Sequence, residues 1–122
     1  MKYEVTITGA GIDAFTFLED EDCNFIIIFN ENAPEELAEI SVLHTEGTLN
    51  ESLSVNDTVS INGKKYTISA IGSEAEYTLK TLGHCTLGFN GGNEAERPGY
   101  IMLEGEPITE EDFVAGTKIE IF

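Results

Sequence analysis

Polar and apolar residues alternate along most of this chain with a period of two. From Lys2 to Thr8, the residues Tyr3, Val5 and Ile7 share one face. This alternation is typical of a β-strand with one buried face. Similar short apolar runs predict further strands over Asn24–Asn30, Ile40–Thr45, Thr58–Ile61, Tyr66–Ile71, the segment HCTLGF that begins at His84, Tyr100–Leu103 and Lys118–Phe122.

Turn and helix signals separate these strands. Asn62-Gly63 lies between two alternating runs and predicts a tight β-hairpin. Pro34 is followed by acidic residues, which suit the positive end of a short helix over Pro34–Glu39.

A second helix is predicted over Glu74–Leu82, in the segment GSEAEYTLKTLG. Ser73 and Glu76 have the spacing of a capping box, and Gly83 lies where a C-terminal glycine is favoured. Residues 1–122 therefore form one all-β domain with two short helices, as a small barrel or sandwich.

The charge of the chain is strongly acidic. It has 23 Asp and Glu against 6 Lys and Arg, a net charge of −17. Nucleic acids and anionic membrane surfaces are excluded as expected partners, because both are bound through clustered cations. A cationic protein would be attracted. An acidic β-barrel that only docks on a basic partner therefore stays an alternative function.

The two cysteines and the apolar runs bear on location. Cys23 and Cys85 have no metal-ligand or CxxC spacing, and the N-terminal residues read as a strand rather than a leader. The longest apolar run, Phe25–Phe29, is too short to span a bilayer. We expect a cytoplasmic protein with free thiols and no membrane insertion.

Candidate chemistry centres on the two histidines, since no nucleotide-binding or serine-nucleophile motif is present. His44 ends a predicted strand, and His84 follows the helix-ending Gly83. Taken alone, each is more often a structural residue, His44 on the surface or barrel rim and His84 as a helix C-terminal cap. A metal site of His44, His84 and Cys85 is a weaker alternative, because adjacent strand residues point to opposite faces.

Two motifs resemble one family. The segments SVLHTEGTL and GSEAEYTLKTLGHCTLGFNGGNEAERPG are similar to those of the glucitol/sorbitol-specific enzyme IIA component of the bacterial sugar phosphotransferase system. The likeness covers about Ile40 to Gly99. It implies a closed β-barrel with Greek-key connections. Some members have a second histidine two places after the reactive one, where this chain has Glu46.

The resemblance also implies a phosphoryl relay. The phosphocarrier HPr would phosphorylate His44, and His44 would pass the group to the IIB component of a IIB/IIC sugar-alcohol permease, with no metal or cofactor. Imidazole suits this role because it attacks without a strong base and forms a reactive P–N bond.

The phosphoryl oxygens need donors, and two helix ends compete for that role. Glu74 and Glu76 already occupy the start of the second helix, so its other end is favoured. We therefore predict phosphate binding at Gly83 and a stabilising imidazole donor in His84.

Overall fold

The computed structural model describes residues 1–122 and contains eight strands. They are β1 (Tyr3–Ala10), β2 (Phe25–Asn30), β3 (Val42–His44), β4 (Thr58–Ile61), β5 (Lys64–Ile71), β6 (Cys85–Gly88), β7 (Tyr100–Gly105) and β8 (Lys118–Ile121). Each predicted strand is present within a few residues of its predicted bounds, and β3 ends on His44 as expected.

The strands close into one barrel in the order β1-β3-β2-β6-β7-β5-β4-β8. The closed β-barrel predicted from the sequence is therefore confirmed. Six of the eight neighbouring pairs are antiparallel, and the pairs β2–β3 and β6–β7 are parallel. A parallel pair needs a crossover connection. The crossover between β2 and β3 contains a helix, and the one between β6 and β7 consists of turns, bends and irregular segments.

The helices are short. They are α1 (Glu35–Ala38), α2 (Ala75–Leu82) and one 3-10 turn (Glu110–Phe113). None of them has the length and the apolar composition needed to cross a membrane. Residues 11–24, between β1 and β2, consist mainly of turns.

The capping box predicted for α2 is wrong. The N-cap residue is Glu74, and no side chain caps this end of the helix. The Glu76 carboxylate instead accepts a hydrogen bond of 2.6 Å from the Leu53 amide, across 23 residues of chain. A capping box does form at the 3-10 turn, between Thr109 and Asp112.

The hairpin prediction is confirmed. Asn62 and Gly63 have φ angles of 51° and 81° and join β4 to β5. Two consecutive positive φ angles give the turn whose twist matches that of the paired strands.

The barrel interior is one apolar cluster of 22 buried residues. Alternate residues of each strand point into it, such as Ile26 and Ile28 of β2. This burial is the main stabilising contribution, at about 25 cal/mol per Å² of apolar surface removed from water. Both cysteines are unpaired, as predicted, and Cys85 is part of the cluster.

Candidate functional site at the end of the barrel

His44 lies at the end of β3, and its side chain is fully enclosed, with 0% of the residue exposed. It pairs with Ile7 of β1 on one side and with Asn30 of β2 on the other. Tyr3 contacts it edge to face, with ring centroids 6.4 Å apart. The strand-end position predicted from the sequence is correct, and neighbouring elements cover the ring.

Two backbone carbonyl groups hold the imidazole of His44. Nδ1 lies 2.7 Å from the oxygen of Thr45, the next residue in the chain. Nε2 lies 2.8 Å from the oxygen of Gly83, 39 residues away. A carbonyl oxygen only accepts, so both contacts are hydrogen bonds only if both nitrogens carry protons. A neutral ring satisfies one carbonyl and turns a lone pair toward the other.

Gly83 forms the C-terminal cap of α2 in the left-handed conformation, with φ of 63°. Its amide donates to Leu79, and the His84 amide donates to Thr78. Gly83 therefore lies against His44, as the sequence suggested, but it presents its carbonyl oxygen. Its N–H is occupied by the helix end and does not point at an anion.

His84 makes different contacts. Its Nδ1 is 3.1 Å from the carbonyl oxygen of Ile28, and its ring packs on Phe29 with centroids 4.7 Å apart. The next residue, Cys85, points into the barrel, so the side chain of His84 is directed outward. The groups that hold the ring nitrogens of His44 are carbonyls, and His84 is not one of them. The role predicted for His84 stays a prediction.

Asn30 is a site residue that the sequence reasoning missed. It continues the inward alternation of Ile26 and Ile28, and it lies directly beside His44 in the parallel register of β2 and β3. Its Oδ1 atom is buried with no hydrogen-bond partner. A Cβ atom on Gly83 would overlap Oδ1 and would lie 2.8 Å from Cε1 of His44, so the three residues pack tightly together.

A pocket of about 210 Å³ opens beside these residues. It is lined by Phe29, Asn30, Asn32, Glu46, Gly47, Lys80, Thr81 and Leu82. Glu46 accepts a hydrogen bond of 3.3 Å from Asn32 across the pocket. The pocket lies between the last turn of α2 and the ends of β2 and β3, and it is predominantly polar.

The cysteines are poor competitors for a nucleophilic role. Burial raises the pKa of the Cys85 thiol to about 12, so it stays protonated near neutral pH. Desolvation and the nearby Asp20 also raise the pKa of Cys23. A thiolate is the reactive form of cysteine. The structure contains no group of three or more His, Cys, Asp or Glu side chains that could hold a metal ion.

Comparison with known proteins shows which family the chain resembles. Residues 2–120 match the family model described as PTS system glucitol/sorbitol-specific IIA component. The PTS system glucitol/sorbitol-specific EIIA component of Escherichia coli (strain K12) is 38% identical over 118 residues, covering 97% of this chain and 92% of that protein. The protein of the same name from Shigella flexneri shows the same identity and coverage.

A solved structure shares the fold. The crystal structure of a PTS system IIA component from Enterococcus faecalis V583 superposes with a TM-score of 0.74 at 24% identity, covering 96% of this chain and 97% of that one. At that identity the likeness supports the barrel architecture alone.

The match over nearly the whole chain defines the class of protein: a phosphotransferase component that carries a phosphoryl group in sugar uptake. The chain belongs to the family of glucitol/sorbitol-specific IIA components of the phosphotransferase system.

Proposed function

We propose that this chain carries its phosphoryl group on His44, accepting it from phosphorylated HPr and passing it to the IIB component of a sugar permease. The supporting observation is the arrangement around the ring. Nδ1 is bonded to the carbonyl of the adjacent residue, and Nε2 faces only the Gly83 carbonyl at a helix end. The names of the relatives suggest a sugar alcohol as the transported class. The cytoplasm, expected from the sequence, is the location that we propose.

The chemistry assigned to His44 begins with a neutral ring. The proton stays on Nδ1, which donates a hydrogen bond to the Thr45 carbonyl. The lone pair of Nε2 attacks phosphorus. The P–N bond to Nε2 forms while the P–N bond to the donor imidazole breaks, and that bonding pair returns to the donor. The phosphorylated ring keeps its Nδ1 proton and is positive, which the Thr45 oxygen stabilises.

Attack at Nε2 requires one contact to open. The Thr45 carbonyl is tied to the ring by adjacency in the chain, and the Thr45 amide is bonded to Thr6. The Gly83 carbonyl belongs to a different element and reaches the ring only while the end of α2 stays closed over it. Separation of Gly83 from His44 is therefore part of the proposed reaction.

Partner docking should use the acidic surface. A chain of net charge −17 attracts a cationic partner at long range. The association rate with HPr should fall as salt shortens the Debye length from about 10 Å at 0.1 M to about 3 Å at 1 M. A rate that is flat over this range would indicate apolar docking instead.

The test is phosphate incorporation from phosphoenolpyruvate through the general phosphotransfer proteins and HPr. The wild-type chain should gain the mass of one phosphoryl group, lost in acid and retained in alkali. His44→Gln, which keeps a side chain of similar size in this buried position, should melt cooperatively and gain no mass. His84→Gln is the matched control and should still be phosphorylated. A mass gain in His44→Gln would contradict the assignment.

A further inference from the structure

We propose that the pocket beside His44 is the binding site for the transferred phosphoryl group, with the Asn30 carboxamide as its hydrogen-bond donor and Lys80 as its counter-charge. This inference rests on the proposed phosphorylation of His44. It replaces the donors expected from the sequence with two side chains that line the same pocket.

The first observation is the position of Asn30. The parallel register of β2 and β3 puts it directly opposite His44, and both residues lie at the ends of their strands. Both strands have an apolar residue at the preceding inward position, Ile28 and Val42. A polar pair at the next step is therefore where the apolar interior ends and the pocket begins.

The second observation is the unmet hydrogen-bonding capacity of Asn30. Its Oδ1 atom is buried without a partner. A buried polar atom in this state costs stability and calls for an explanation. Because Oδ1 forms no hydrogen bond, the carboxamide can turn over without breaking one there. Turning it presents the NH₂ group, which has two donors, to a phosphoryl oxygen.

The third observation is the charge of the pocket. Lys80 lies in the last turn of α2 and forms none of the three ion pairs in the structure, although acidic residues outnumber basic ones almost four to one. Glu76, one turn earlier, is bonded to Leu53 and Ser52 rather than to Lys80. The other charged side chain of the pocket, Glu46, is held by Asn32. Lys80 is thus free to pair with an incoming anion.

The position of Gly83 links His44 to Asn30. Gly83 contacts both the His44 ring and Asn30. Asn30 also lines the pocket, so this residue adjoins both His44 and the space that would hold the phosphoryl group. A phosphoryl group on Nε2 brings a charge of about −1.5 to −2 and three acceptor oxygens. One donor and one cation on the lining are the chemistry that such a group requires.

The test compares Asn30→Leu, Asn30→Asp and the control Asn93→Asp in phosphorylation by phosphorylated HPr. Leu removes the donor at similar size without adding charge, and Asp removes it and adds charge. Both Asn30 variants should be slower than wild type by about 10- to 100-fold, the loss expected for a charge-assisted hydrogen bond made in the transition state. Asn93→Asp adds the same charge at an exposed position outside this pocket and should stay within about threefold, because an exposed charge is screened.

The outcomes separate the two proposals. If the wild-type chain is phosphorylated on His44 and Asn30→Leu reacts at the wild-type rate, the pocket assignment is wrong and the proposed function stands. If the wild-type chain gains no phosphoryl group on His44, the proposed function fails first. Slowing in Asn30→Asp alone would show a charge effect and would also overturn the role of Asn30.

A further measurement uses the wild-type chain, so its result does not depend on how the variants fold. The side-chain ¹⁵N and ¹H resonances of Asn30 should shift on phosphorylation, and those of Asn90, which is bonded to Asn24 elsewhere, should not. Unchanged Asn30 resonances in the phosphorylated chain would overturn the proposal. Lys80→Met should change the ³¹P shift of the phosphohistidine and slow transfer several-fold, whereas the charge-matched control Lys118→Met should change neither.

Discussion

The Nε2 atom of His44 lies 2.8 Å from the carbonyl oxygen of Gly83, so the end of helix α2 covers the histidine that we propose as the nucleophile. The contact joins two residues that are 39 positions apart, one at the end of a strand and one at the end of a helix. The contact places the Gly83 carbonyl against the nitrogen that must attack and so blocks it. The resting site is therefore closed, and its opening is a step that mutations can change.

Gly83→Ala should destabilise the protein more than Gly63→Ala. Both residues have positive φ, which costs a non-glycine residue about 1–2 kcal/mol. A Cβ on Gly63 meets no atom, whereas one on Gly83 would overlap Asn30 and crowd His44. Overpacking adds about 1–3 kcal/mol. Urea unfolding of the two variants measures the difference, and equal losses would mean that the contact around Gly83 is loose.

Tyr3→Phe should leave stability unchanged or raise it by up to about 1 kcal/mol. The Tyr3 hydroxyl is buried without a partner, and burial, with the nearby Cys85 thiol, raises the pKa of Tyr3. Removing an unsatisfied buried group relieves its desolvation cost, while the ring contact with His44 remains. Phosphorylation should proceed at the wild-type rate. Slower phosphorylation would show instead that the hydroxyl reaches the phosphoryl group.

His84→Ala should lower stability by about 1 kcal/mol, through loss of the Nδ1 bond to Ile28 and the packing on Phe29, and should leave transfer near the wild-type rate. His84→Asn can keep a donor near the Nδ1 position and should recover part of the stability. Thermal melts and transfer from phosphorylated HPr give the two readouts. A large drop in transfer with unchanged melting would support the phosphoryl-binding role predicted from the sequence.

Asp112→Asn should destabilise the protein by about 1–3 kcal/mol at neutral pH. Burial acts to raise the pKa of Asp112, but hydrogen bonds from Lys64, Thr109 and Asn62 outweigh it and lower the pKa below its usual value. The carboxylate therefore stabilises the fold above its unfolded pKa of about 3.9, and this contribution is lost as pH falls through the lower folded value.

The acid dependence of Asp112→Asn can be checked by urea unfolding from pH 7 to pH 2. The difference from wild type should shrink below about pH 4. Glu4→Gln is the control, because the pair of Glu4 with Lys118 is exposed and should contribute less than about 1 kcal/mol. A difference that stays constant down to pH 2 would mean that the charge of Asp112 is not what stabilises the turn.

Much of the local structure was predictable because it depends on neighbouring residues. The alternation of polar and apolar residues predicted the strands. The Asn62-Gly63 turn was predictable because those two residues readily adopt positive φ angles. The strand end at His44 and the glycine cap at Gly83 follow from equally local preferences. The 3-10 turn also had a local signal, the spacing from Thr109 to Asp112, which the sequence reasoning overlooked.

Glu76 shows where local reasoning fails. Its spacing from Ser73 fits a capping box, yet its carboxylate bonds to the Leu53 amide. The two partners are distant in the chain, and only the packing of the loop before β4 against α2 makes the second bond available. The long-range hydrogen bond therefore forms in place of the local capping box, and the sequence does not reveal it.

The sequence alone determined the barrel strands, the position of His44 at the end of one of them, and the motifs that identify the family. Only the tertiary structure decided which groups surround His44. Asn30 became its neighbour through the parallel pairing of β2 and β3, a pairing that the helix between the two strands could have suggested. The Gly83 carbonyl reached the ring, and His84 turned outward, because barrel closure fixes the side each residue faces. Strand order and register arise from long-range packing, and a linear pattern does not contain them.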